Sequence, residues 1–138
     1  MNTAWSHLPN AAHIDRVLAS VKAHPDKWVA AQNATRGAAR DAAWYAAWDA
    51  AGGAARDAAW FAAWGAVRTA ARYASYDAAR DAAWGAIAAL VVYDDCSQYL
   101  SMTSDQLRVW AILSEKPAAI LLLPAVTAFE KISELELV

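Results

Sequence analysis

Cysteine is nearly absent from this chain of 138 residues. Cys96 is the only one, so an internal disulfide and a cysteine-based zinc site are excluded, and a reducing compartment is the simplest setting. Residues 1–9 also lack the apolar run that a secretion signal needs. We therefore expect a cytoplasmic protein, and the length is that of one domain.

A surplus of positive charge is missing as well. The 12 basic and 14 acidic residues give a formal net charge of -2 and an isoelectric point near 5.8. A protein that neutralises many backbone phosphates needs an excess of lysine and arginine, so we expect no duplex nucleic acid as a partner. A small anion stays open as a ligand.

Long hydrophobic runs are also absent. The two apolar stretches, residues 82–93 and 118–129, are shorter than the roughly 20 residues that cross a bilayer, so we interpret both as buried helix and expect no membrane partner. Hydrophobic residues make up 59% of the chain at a mean hydropathy of only +0.14, because many of them are alanine. The eight tryptophans must therefore supply much of the core.

Residues 10–24 have the pattern of an amphipathic helix. Apolar residues recur there at i, i+3, i+4 and i+7, namely Ile14, Val17, Leu18 and Val21. Asn10 is the predicted N-cap, and Pro25 opens a second helix that should bury Trp28.

Residues 25–100 contain the most distinctive feature of the sequence, an array of four-residue units over residues 38–89, most of which begin with two alanines. Alanine is the strongest helix former, so the array should be helical. Each unit advances about 40° around the helix, so the tryptophans of one unbroken rod could not share a face. We place the break at Gly52-Gly53 and expect antiparallel helices whose alanines let the backbones approach closely. Weaker candidates for a break are Gly65, Ser75 and Gly85.

Residues 104–138 are predicted to form the C-terminal helices. Thr103 and Gln106 have the spacing of a capping box, and Pro117 should end the helix that they open. Pro124 is expected to separate a short buried segment from a last helix. Residues 1–138 are thus predicted to form one all-α domain, a compact bundle of antiparallel helices rich in alanine and tryptophan.

Arginines in the array lie four residues from aromatic rings, so each guanidinium can stack on a ring one helical turn away. Aromatic faces with arginine forks form sites for a base and its phosphate. The candidate ligand-binding residues are Arg40, Trp44, Arg56, Trp60, Trp64, Arg68, Arg72, Tyr76, Arg80 and Trp84. The alternative is that these residues belong to the core and to interfaces, with the arginine stems lying over the rings.

Carboxylates accompany the arginines and reduce the positive field of the array. They are Asp41, Asp49, Asp57, Asp77 and Asp81, and the spacing of Asp77 and Arg80 predicts an ion pair. We interpret the neighbouring Asp94 and Asp95 as capping residues or partners of an array arginine, because adjacent carboxylates on a helix point apart. Cys96 is expected to be a small buried hydrophobe.

No motif indicates catalysis. His7, His13 and His24 lack metal-ligand spacing, and the chain has no glycine-rich phosphate loop and no nucleophile elbow. We therefore predict no catalytic residues, no metal and no cofactor, and we expect that the protein is not an enzyme.

The array resembles a group of small phage-encoded proteins that combine Arg/Asp-Ala-Ala-Trp repeats with a Tyr-Asp-Asp-Cys block and a Leu-Leu-Leu-Pro block. The matching blocks here are residues 40–44, 56–60, 80–84, 93–96 and 121–124. The array is also similar, more weakly, to helical toxin-immunity proteins. A phage setting implies a cytoplasmic role in an infected bacterial host, in which the protein interferes with a host defence.

The leading hypothesis is a non-enzymatic binding protein that sequesters a small nucleotide signal. The first alternative is an interaction module that covers a host enzyme or toxin with exposed aromatic residues. The second is an architectural oligomer. In each case we expect a homo-oligomer that associates through its tryptophan and alanine faces.

Overall fold

Seven α-helices and two short 3₁₀ helices make up the described part of the chain, which comprises residues 3–35, 37–114 and 116–136 of a computed structural model. The α-helices are α1 Ala11–Ala23, α2 Pro25–Thr35, α3 Ala38–Ala50, α4 Ala54–Ala70, α5 Asp77–Val92, α6 Ser104–Ser114 and α7 Pro117–Glu136. The 3₁₀ helices are Ala74–Tyr76 and Cys96–Ser101. Since these ranges contain no strand and the helices pack together, the predicted all-α bundle is confirmed.

Helix α5 lies at the centre of the bundle and contacts α1, α2, α4 and α7. Its buried residues occupy all sides of the helix: Ala79, Ala82, Ala83, Gly85, Ala86, Ile87, Ala88, Ala89, Leu90 and Val91. Small side chains let neighbouring backbones approach closely, and a helix that is apolar all round must be buried. The interpretation of residues 82–93 as buried helix is therefore confirmed for the part that α5 contains. No helix in the described ranges is both long and apolar enough to cross a membrane.

Helix α1 is amphipathic as predicted and buries Ile14, Val17 and Val21. Asn10 takes the N-cap position as predicted, although its side chain makes no capping hydrogen bond. Instead, its Nδ2 donates to the backbone oxygens of Leu90 at 3.1 Å and Tyr93 at 3.0 Å. The carbonyls at the end of a helix lack intrahelical donors, so the Asn10 amide joins the start of α1 to the end of α5.

The break at Gly52-Gly53 is confirmed, because α3 ends at Ala50 and α4 begins at Ala54. Gly65 and Gly85 lie inside helices, whereas Ser75 lies in the 3₁₀ helix that separates α4 from α5. The expected close approach of backbones does not occur between α3 and α4 in the described residues. Their indole rings lie between them, and rings of that size hold the helix axes apart.

The capping box before α6 is confirmed. The backbone N–H of Gln106 donates to Thr103 Oγ1, and the backbone N–H of Thr103 donates to Gln106 Oε1, both at 3.1 Å. The predicted break at Pro124 is wrong, because α7 continues through it. Proline removes one backbone hydrogen bond, but this turn is buried in the core, where packing of the neighbouring Leu121 and Leu122 favours a continuous helix.

Candidate functional site

A cleft of about 350 Å³ lies among the side chains of α2, α3, α4, α5 and α7, and we name it the Arg40 cleft. The residues that line it are Gln32, Arg40, Asp41, Trp44, Trp64, Asp81, Trp84 and Leu121. Four of the ten predicted ligand-binding residues, Arg40, Trp44, Trp64 and Trp84, are therefore brought together here.

Arg40 reaches from α3 onto the backbone of α5. Its Nη2 donates to the backbone oxygen of Asp81 at 2.8 Å. The guanidinium lies directly over Gly85, where a methyl group would overlap Nη2 and would lie 3.2 Å from Cζ. A glycine at position 85 is thus what lets the guanidinium lie this close to the helix.

Three indole rings form the aromatic wall of the Arg40 cleft. Trp44 and Trp64 are stacked, with centroids 5.7 Å apart and an interplanar angle of 16°. Trp84 follows at 5.7 Å from Trp64 with a tilt of 41°. All three rings are partly exposed, so the wall presents aromatic surface to a ligand.

The Arg40 cleft contains three buried polar atoms that have no hydrogen-bond partner among the described residues. They are Gln32 Oε1, Arg40 Nε and Trp84 Nε1. Buried polar atoms are almost always satisfied, and each one left unpaired costs about 1–3 kcal/mol. These three atoms, one acceptor and two donors, belong to residues that line the cleft.

Charge in the cleft is mixed. Burial lowers the pKa of the Arg40 guanidinium, and the carboxylates of Asp81 and Asp41 act in the opposite direction. Burial raises the pKa of the Asp81 carboxyl, against the influence of Arg40 and Arg80. Because arginine stays protonated in proteins, the cleft places one guanidinium cation near the side chains of two aspartates.

A second cavity of about 330 Å³ shares Asp81 and Trp84 with the Arg40 cleft. It adds two more of the predicted residues, Arg68 and Arg80. Arg80 forms an ion pair with Asp77, which confirms the predicted pair. Arg68 is exposed and forms no ion pair in the described ranges, so its guanidinium is available for an anion beside Trp84.

Arg56 lies away from both cavities and has a structural partner. Its Nη2 donates to both carboxylate oxygens of Asp94, at 3.0 and 3.1 Å, and its Nη1 donates to the backbone oxygens of Val91 and Val92. The predicted pairing of Asp94 with an array arginine is confirmed. Arg56 thereby caps the C-terminal end of α5, whose last residue is Val92.

The remaining predicted residues are also apart from the cleft. Trp60 is buried at 2% exposure and lines another cavity at the turn between α3 and α4. Arg72 stacks on Tyr73 at 5.4 Å, and Tyr73 contacts Tyr76 edge to face. Both tyrosines lie at the start of the segment that leads into α5.

The predicted stacking of arginines on rings four residues away is wrong for the described part of the array. Two arginines do stack on rings, Arg16 on Phe129 at 4.0 Å and Arg72 on the adjacent Tyr73. Arg40, Arg56 and Arg80 instead direct their guanidinium groups to backbone oxygens or carboxylates. Charged hydrogen bonds of this kind are stronger than an exposed cation–π contact.

Four of the eight residues that line the cleft were not predicted as ligand-binding residues: Asp41 and Asp81 belong to the array, and the other two lie outside it. Gln32 comes from α2, before the array, and Leu121 comes from α7. A glutamine near the end of a short helix has no sequence pattern that indicates a site, and only its burial at 7% exposure identifies it.

Cys96 is buried, and burial with the nearby carboxylates of Asp95 and Asp94 raises its pKa to about 12. The thiol is therefore neutral and inert in the folded protein, as expected of a small buried hydrophobe.

Within the described ranges, no three histidine, cysteine or acidic residues group in a way that could hold a metal ion. Comparisons of the chain with protein-family models, with curated proteins and with solved structures found no match.

Proposed function

We propose that this protein is a non-enzymatic binding protein that captures a nucleoside monophosphate or a cyclic nucleotide in the Arg40 cleft. The observation that carries the proposal is a cleft walled by indoles whose lining residues Gln32, Arg40 and Trp84 each have a buried polar atom without a partner among the described residues. Sequestration of such a signal during phage infection is the biological role that the sequence resemblance implies.

The base is expected to lie in the cleft itself. A heterocycle presents both donors and acceptors at its edge and stacks on indole faces. Its ring nitrogens or carbonyl oxygens would accept from Arg40 Nε and Trp84 Nε1, while Gln32 Oε1 would accept from an exocyclic amino group. A base must therefore present both an N–H donor and an acceptor at its edge.

The phosphate is expected to lie beyond Trp84, on Arg68. The Arg40 cleft and the adjoining cavity together contain three arginines and three aspartates, so their formal charges cancel. An electrostatic field without a net positive charge allows one guanidinium to bind one phosphate, but it does not favour binding of several linked phosphates. Monophosphates should therefore bind more tightly than triphosphates.

Isothermal calorimetry against a panel of nucleoside monophosphates, cyclic nucleotides and triphosphates tests the proposal. Trp84→Phe keeps a ring but removes Nε1, and should weaken binding about tenfold through the loss of one hydrogen bond. The same substitution at Trp110, on α6, is the matched control and should leave affinity unchanged. Absence of heat and of thermal stabilisation across the whole panel would refute the proposal.

A protein partner is the second candidate, and exposed aromatic side chains favour it. Tyr45 and Phe61, on α3 and α4, are 69% and 56% exposed. Large exposed rings on neighbouring helices are typical of an interface, including one between copies of this chain. In this case the wild-type protein should associate in sedimentation analysis, and Tyr45→Ala/Phe61→Ala should be monomeric with unchanged nucleotide binding.

A further inference from the structure

A cavity of about 360 Å³ at the turn between α3 and α4 has a different chemistry from the Arg40 cleft, and the two share no lining residue. The cavity is lined by Trp48, Asp49, Ala51, Gly52, Asp57, Trp60 and Phe61. We name it the Trp48 cage. Three aromatic rings and two carboxylates line it, and none of the basic side chains that the structure describes does.

The indole ring of Trp48 stands nearly at right angles to the rings of Trp60 and Phe61. Trp48 lies 5.3 Å from Trp60 at 85° and 6.1 Å from Phe61 at 83°. Trp48 and Phe61 are 44% and 56% exposed, so ring surface remains open to a ligand. The negative faces of aromatic rings arranged in this way attract a cation.

The two carboxylates have no cation in the described part of the chain. Asp49 and Asp57 are exposed, and neither forms an ion pair with a described basic residue. Asp57 lies in the first turn of α4, where the helix dipole favours an acid. Asp49 lies in the last turn of α3, where the dipole disfavours one, so its charge opposes helix stability.

Trp60 adds a third polar group to the Trp48 cage. The residue is 2% exposed, and its Nε1 is buried without a hydrogen-bond partner among the described residues. Like the unpaired atoms of the residues around the Arg40 cleft, this buried N–H costs free energy. A ligand that brings an acceptor oxygen next to its cationic group would satisfy it.

We propose that the Trp48 cage binds a guanidinium group, with its planar face on the indole of Trp48 and its N–H donors on Asp49 and Asp57. A quaternary ammonium ion has no N–H to donate to the carboxylates. A primary ammonium ion is strongly hydrated and has no planar face for stacking. A guanidinium can both stack on the rings and donate hydrogen bonds to the carboxylates, whether it belongs to a small molecule or to an arginine of a peptide.

The test follows the indole N–H resonances in two-dimensional nuclear magnetic resonance spectra while methylguanidinium chloride is added at constant ionic strength. The resonances of Trp48 and Trp60 should shift and saturate. That of Trp28, whose Nε1 is hydrogen bonded to Ser20 at 2.9 Å, should not move. Absence of a saturable shift at Trp48 would overturn the proposal.

Two double variants with the same change in net charge separate a specific site from general attraction. Asp49→Asn/Asp57→Asn should raise the Kd for methylguanidinium about tenfold, as expected from the loss of two exposed carboxylates. Asp26→Asn/Glu134→Gln, at exposed positions on α2 and α7, should leave the Kd unchanged. Equal weakening by both pairs would contradict the proposal.

The single variant Asp49→Asn distinguishes a loss of binding from a loss of folding. Because the charge opposes the dipole of α3, its removal should leave the Tm unchanged or raise it while the affinity falls. Choline chloride serves as the cation without N–H donors and should bind more weakly than methylguanidinium. Choline binding of equal or greater strength would refute the guanidinium assignment.

A last titration separates the two sources of the ligand. Acetyl-arginine amide carries the backbone amide groups of a peptide-borne arginine in addition to the guanidinium. Tighter binding than that of methylguanidinium would support an arginine of a partner protein as the ligand. Equal affinity would support a small guanidinium compound.

Discussion

The pentapeptide Arg-Asp-Ala-Ala-Trp occurs three times, at residues 40–44 in α3, 56–60 in α4 and 80–84 in α5, yet its side chains reach three different environments. The arginine of the second copy caps the end of α5 and pairs with Asp94. That of the third pairs with Asp77 in its own helix. The arginine of the first copy lies in a cleft with its Nε unpaired. Identical local sequence thus produces one cap, one surface ion pair and one candidate ligand contact.

The residue after the tryptophan explains part of this difference. Tyr45 and Phe61 occupy that position in the first two copies and are exposed, whereas Gly85 occupies it in the third and is buried. Only the absence of a side chain at Gly85 leaves room on α5 for the guanidinium of Arg40. The third copy therefore forms the site that the arginine of the first copy occupies.

The largest expected effect is a difference in the free energy of unfolding between variants of Arg40 and Arg56, the arginines of the first two copies. Arg56→Met removes charged hydrogen bonds from the end of α5 and should lower the free energy of unfolding by about 2–3 kcal/mol. Arg40→Met removes a buried cation whose Nε is already unpaired, so we expect a change below about 1 kcal/mol. Urea unfolding measures both variants. Equal losses would show that the two copies are energetically the same.

A smaller effect on stability is expected when each of two glycines inside helices is replaced by alanine. Gly65→Ala has open space around it and should stabilise the protein by up to about 1 kcal/mol, because alanine is the better helix former. Gly85→Ala should gain less, since its methyl group displaces the Arg40 guanidinium. It should also weaken nucleotide binding, whereas Gly65→Ala should not. Thermal unfolding and calorimetry together check the pair, and an unchanged affinity in Gly85→Ala would argue against a role for Arg40 in binding.

The smallest expected effect concerns pH. The folded-state pKa of Asp81 is raised above the ordinary value of 3.8, so the folded state holds this proton more tightly than the unfolded state does. The resulting stabilisation is present below pH 3.8 and is lost as the pH rises through the raised pKa of the folded state. In Asp81→Asn this part of the pH dependence should disappear. Asp57→Asn, the same change in the second copy, should retain it when unfolding is measured over the acid range.

Local signals predicted the helices well and the long-range contacts poorly. The capping box at Thr103 and the break at Gly52-Gly53 involve atoms within one turn of each other, so the sequence contains all the interacting groups. The continuous α7 contradicts the prediction because packing of its buried face outweighs the local effect of Pro124. Gln32 was missed for a related reason, since its burial in the cleft depends on helices that are distant in sequence.

Alanine content determined that the array is helical, and Gly52-Gly53 determined the first of its two breaks, because helix propensity and turn formation act between residues a few positions apart. Tertiary structure alone decided which arginine turns inward, which tryptophans wall a cleft and which carboxylates face aromatic rings. Those outcomes depend on what a neighbouring helix presents to each side chain. The pentapeptide is the same in all three copies, but the guanidinium of Arg40 packs on Gly85, whereas that of Arg56 forms an ion pair with Asp94.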